Sequence, residues 1–124
     1  MGTGSSRVNV GNTIGSHDDG SVSFDGSLPL DVNEGQQGKH MPGHHNFIEG
    51  RSEFKGTMKD AQALINTFGG TGEMISVNKE AVDFGTVIGN WVDQDTGEKY
   101  QTTRGIIHYG KRGAHIVPSN PNRN

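Results

Sequence analysis

Six histidines are spread along 124 residues, and two groups of them stand beside lysine or arginine. Arg104, His108, Lys111 and His115 lie near the C-terminus, while Lys39, His40 and His44 lie further upstream with His45 directly after. Imidazole titrates near neutral pH and can act as acid or base. Guanidinium and ammonium groups neutralise phosphoryl oxygens. These are the parts needed to break an RNA strand without a metal. One group takes the proton of a ribose 2′-hydroxyl as it attacks its own phosphate, another protonates the departing 5′-oxygen, and a cation holds the phosphate charge. On this reading His108, His115 and one of His40 and His44 divide the acid and base roles. Arg104, Lys111 and Lys39 would stabilise the phosphate.

Such chemistry requires the side chains to meet. Gly105 to Tyr109 and Ala114 to Val117 flank Gly110-Lys111-Arg112-Gly113, a hairpin signal. With the loop centred between Lys111 and Arg112, His108 faces His115, and opposed side chains on one face sit roughly 5 Å apart at Cβ. The strand period of two then puts Ile106, His108, His115 and Val117 on one face, and Ile107, Tyr109, Ala114 and Ile116 on the other. A slip of one residue in register would separate the histidines. Tyr109 and Trp91 read as packing residues rather than platforms for bases.

His40-x-x-x-His44-His45 also has the i, i+4 spacing of a helical zinc pair. Pro42 interrupts that face, no carboxylate stands at a matching spacing, and the chain has no cysteine to supply thiolates. Neither a metal nor any other cofactor is expected. Three rival readings share the same residues: an RNA-binding module without catalysis, a metal-dependent nuclease, and a structural domain of a phage or surface protein.

The surrounding elements follow from the pattern. A short helix or turn is expected to end near Met41, because Pro42 disfavours helix in the residue before it. Thr57-Met58-Lys59-Asp60 has the form of a capping box, and Ala61, Leu64, Ile65 and Phe68 then follow at helical spacing. Gly69-Gly70 stops this helix, which spans about residues 58–68. Strand-forming runs come next at 81–84, 86–92 and 99–103, with turn residues at 93–97, and Pro118 ends the last strand. Val22-Ser23-Phe24 and Leu28-Pro29-Leu30 could pair as short edge strands. The fold class is α+β: short N-terminal helices packed on a four- or five-stranded antiparallel sheet.

Only 29% of residues are hydrophobic and 20 are glycine, too little apolar mass for a core along the whole length. Residues 1–33 read as a flexible linker and 34–124 as the domain. The net charge of −3 resides in the linker, where Arg7 stands against Asp18, Asp19, Asp25 and Asp31. Residues 101–124 hold Arg104, Lys111, Arg112 and Arg123 with no acid, a concentrated positive end. The absence of cysteine suits work in a reducing cytosol. No apolar run is long enough to span a bilayer, and the N-terminus lacks the regions of a signal peptide. Export would therefore depend on sequence upstream.

Several blocks carry a resemblance: Gln37-Gly38-Lys39-His40-Met41-Pro42-Gly43-His44, Gly50-Arg51-Ser52, Val82 to Gly89, Thr102 to Tyr109, and Gly113 to Pro118. Over roughly residues 35–118 the chain resembles the polymorphic toxin type 50 family, whose members are C-terminal toxin domains of large secreted or phage-associated bacterial proteins. His45 and Gly110 stand where the family pattern has Asn and Ser. The resemblance implies a Barnase–EndoU–Colicin–RelE type fold and a ribonuclease, with tRNA among the candidate substrates. It also implies a cognate immunity protein, an upstream carrier that delivers the domain, action in the target-cell cytoplasm and no membrane partner. Residues 1–33 would then be a linker or pre-toxin remnant. By motif position the resemblance carries over His40, His44, Arg104, His108 and His115 as catalytic candidates. Lys39, Arg51, Thr103 and Lys111 carry over as substrate-binding ones.

Overall fold

A computed structural model describes residues 28–122. Helix α1 (Glu34–Gly38) is followed by β1 (Glu53–Phe54), helix α2 (Met58–Phe68), β2 (Glu73–Ser76), β3 (Lys79–Asp83), β4 (Gly89–Val92), β5 (Lys99–Thr102), β6 (Arg104–Gly110) and β7 (Gly113–Pro118). The α+β class stands. The strands, however, form two antiparallel sheets rather than one: β1-β4-β5, and β2-β3-β6-β7. Placing β4 and β5 in a separate hairpin leaves β3 to pair directly with β6.

Helix α2 begins where its capping box predicts. Asp60 N donates to Thr57 Oγ1 at 3.2 Å, and Thr57 N donates to the Asp60 carboxylate at 2.8 Å. Ala61 and Ile65 are fully buried, with Leu64 and Phe68 packed beside them. The four-stranded sheet turns Val82, Ile107, Tyr109, Ala114 and Ile116 into the same core. Glu80 is also buried there. Its carboxylate accepts from Tyr109 Oη at 2.5 Å and from Gly70 N and Gly72 N at 2.9 and 2.6 Å, which ties the end of α2 to the sheet.

The outer edge of β7 is closed by upstream chain. Asn33 N donates to Ala114 O and Ala114 N to Asp31 O. Gly113 allows this approach, since it sits at φ +118 and a side chain there would meet the Asp31 carbonyl. Leu28, Leu30 and Val32, on the linker side of the boundary drawn from sequence, pack against the core. Residues 28–30 form no strand, and Val22-Ser23-Phe24 lie outside the described residues.

Candidate active site

Alternation along β6 and β7 leaves Ile106, His108, His115 and Val117 on the sheet face away from the core. His108 pairs with His115 across the hairpin, in the register that the loop spacing predicts, and their rings lie 4.9 Å apart. On the other side of His108, β3 places Lys79 in register with it. Beyond His115, the turn after α1 brings in His40, whose ring stacks on that of His115 at 6.0 Å with an interplanar angle of 18°. Lys79, His108, His115 and His40 thus form one row across the sheet.

The row depends on how α1 is fixed. Gln37, fully buried, uses its side-chain amide as a peptide group would. Its Nε2 donates to Ile116 O at 2.9 Å and its Oε1 accepts from Ile116 N at 2.7 Å. One turn later His40 is held by β1: Phe54 N donates to His40 O at 2.6 Å, and His40 Nδ1 lies 3.0 Å from Ser52 O. A carbonyl can only accept, so Nδ1 carries the proton. In the neutral ring the lone pair therefore sits on Nε2, the state required of a general base.

Burial lowers the pKa of all three imidazoles, because removing the charged ring from water is unfavourable. It lowers His115 to about 3, with His108, His40 and Lys39 adding repulsion. His108 is lowered to about 4 by burial, then by Lys79 and His40. His40 is lowered by burial and, more weakly, by Arg51 and Lys39, while the bond to Ser52 opposes them. Lys39, Arg51 and Lys79 are therefore the cations felt by the row.

The other candidates lie around this centre. Lys39 is half-buried beside His40 and Arg51 is exposed nearby. His44 is turned away from the row: its ring covers Gly38, stacks on His45 at 4.5 Å, and its Nδ1 accepts from Asn46 N at 3.0 Å. The i, i+4 pair His40 and His44 does not converge, and among the described residues no three His, Asp or Glu side chains are grouped to hold a metal. Arg104 shares the histidine face but stands two side-chain rows along it, roughly 13 Å at the strand rise, and its guanidinium lies 3.4 Å from Asp83. Thr103 hydrogen-bonds the same carboxylate. Lys111 is exposed in the β6–β7 turn.

A family model described as Bacterial toxin 50 matches residues 32–118 and so takes in every one of these side chains. The chain belongs to the bacterial toxin 50 family. As a polymorphic-toxin domain of that family it is suited to delivery as an effector, and no helix among the described residues is long and apolar enough to cross a membrane. No curated protein matches the chain.

Two contributors to the toxin's histidine row escape a sequence reading. Lys79 does so because its place depends on β3 pairing with β6, a contact that skips β4 and β5. Gln37 is visible only as part of the first motif block; its amide pairing becomes apparent once β7 is seen to need a partner for Ile116.

Proposed function

We propose that this toxin domain is a metal-independent endoribonuclease. The observation that carries the reading is the continuous row of His40, His115 and His108 on the non-core sheet face, with Lys79 at one end and Lys39 at the other. With its proton fixed on Nδ1, His40 offers Nε2 to take the proton of a ribose 2′-hydroxyl. The 2′-oxygen attacks the adjacent phosphorus, the bond to the 5′-oxygen breaks, and the cross-strand pair His108 and His115 returns a proton to the leaving oxygen. The products are a 2′,3′-cyclic phosphate and a 5′-hydroxyl. A bound phosphodiester anion raises the pKa of the rings it touches, so substrate supplies the charge that brings the acid into its protonated form. Lys39, with Arg51 in the same field, supplies positive charge at the His40 end of the row, and Lys79 supplies it at the His108 end.

The substrate class is RNA, with tRNA a candidate. The domain would reach it in a target-cell cytoplasm, carried by a larger effector, and a cognate immunity protein would neutralise it in the producing cell. Incubating the purified domain with total RNA in EDTA and mapping product ends tests the reaction. Cyclic phosphate ends, lost in His115→Ala and in His108→Ala with the fold intact, are expected. Full activity in both variants sinks the assignment. RNA that shifts without shortening points to a binder, and activity restored only by divalent cations points to a metal-dependent nuclease.

A further inference from the structure

Beside the histidine row the same sheet face opens into a cleft of about 490 Å³, lined by Ile75, Ala81, Trp91, Arg104, Ile106 and Asn120. Its floor is continuous with the row, because Ile106 precedes His108 by one alternation of β6 and pairs with Ala81 of β3. The rise per strand residue puts that floor roughly 7 Å from the His108 position, within reach of a base next to a phosphate held over the imidazoles. Trp91 comes from the other sheet, so the wall and floor belong to different elements. The indole is backed by Tyr100, stacked at 5.9 Å, and is half-buried rather than sealed into the core. The sequence reading of Trp91 as packing thus describes only its Tyr100 side. Arg104 lies along the cleft, steered by Asp83 at 3.4 Å. Asp83 is itself fixed by Gly85 N at 3.0 Å.

An apolar floor, an aromatic wall and a few polar groups at the rim suit a flat heteroaromatic ring with a hydrogen-bonding edge. We infer that this cleft is a nucleobase subsite, in which a base flanking the scissile phosphate packs on Trp91 and over Ile106 while Arg104 and Asn120 meet its edge. The inference rests on the ribonuclease reading for the position of the phosphate, but binding of the base can be measured without cleavage.

Trp91 is the only tryptophan of the chain, so its fluorescence reports on the cleft in the unaltered protein. Titration with a short single-stranded oligonucleotide carrying 2′-deoxy sugars, which cannot be cleaved by 2′-hydroxyl attack, is expected to quench that emission to saturation. The same oligonucleotide made abasic at one position is expected to lose the quench and to bind roughly tenfold more weakly. With cleavable RNA, Trp91→Ala is expected to raise KM roughly tenfold with kcat changed little, and Trp91→Phe to restore most of the loss. The abasic substrate should then add no further loss in Trp91→Ala. Unchanged emission at saturating oligonucleotide, or additive losses from the abasic position and Trp91→Ala, would overturn the subsite. Quenching by an oligonucleotide that the domain never cleaves as RNA would retain the subsite and remove the ribonuclease reading instead.

Discussion

The hydrogen bond between His40 Nδ1 and Ser52 O gives the two upstream histidines different environments, and on the proposed mechanism different roles. It orients a ring that already stacks on His115, whereas His44 uses its Nδ1 to accept from a backbone amide two residues on. His40→Ala is expected to lower kcat by about 10²–10⁴, the contribution of a positioned general base, measured by single-turnover cleavage of an oligoribonucleotide. His44→Ala is expected to retain cleavage while lowering stability by about 1 kcal/mol through the lost hydrogen bond. Equal loss of activity in both variants would refute this division. Gly38 is bound up with it, since any side chain there would run into the His44 ring. Gly38→Ala should destabilise by about 1–3 kcal/mol, as overpacking does, and combining it with His44→Ala should recover much of that loss in urea denaturation.

At the scale of elements, the placement of His40 depends on a five-residue helix that is too short to be stable by itself. Gln37 anchors it by completing the edge of β7. Gln37→Ala leaves both the N–H and the C=O of Ile116 without their partner and should cost about 2–4 kcal/mol. Under conditions where the variant remains folded, kcat should also fall, because α1 no longer holds His40 against His115. Wild-type kcat in a folded variant would show that the amide serves stability alone. The sequence carries the local half of this arrangement. The capping box of α2, the glycines after it and the two-residue hairpin loop between His108 and His115 are short-range signals, and each is found where its residues place it. The non-local half is not legible. Strand β2 is exposed along its whole length and has no hydrophobic alternation to mark it, and β1 is two residues long. Nothing in the order of strands says that β3 will bypass β4 and β5 to lie beside β6. Lys79 therefore joins the row, and Arg104 stands apart from it, for reasons of topology rather than of motif.

For the whole molecule, the buried imidazoles set stability and the proposed cleavage against each other as pH changes. His108 and His115 titrate at about 4 and about 3 in the folded domain, against 6.5 for an exposed imidazole, and His40 is lowered in the same direction. Between those values the unfolded chain binds more protons than the folded one, so stability falls as pH drops below about 6.5 and is fully present only above it. Replacing His115 with Gln should flatten that slope, read as the change of Tm between pH 7 and pH 4.5. The proposed cleavage requires the opposite. Acid and base are both drawn from rings that titrate below 6.5 in the free domain, so kcat/KM should peak below pH 6.5 and decline towards pH 8. An anion seated on the row, beside Lys39 and Arg51 at one end or Lys79 at the other, reverses part of the burial penalty by stabilising the protonated rings. Binding of sulfate, which does not itself titrate in this range, should therefore take up protons and strengthen as pH falls from 7 to 5, whereas a site of permanent charge alone would do neither. Calorimetry in two buffers of different ionisation enthalpy measures that uptake directly, and sulfate binding with no proton taken up would show that the row does not receive the anion.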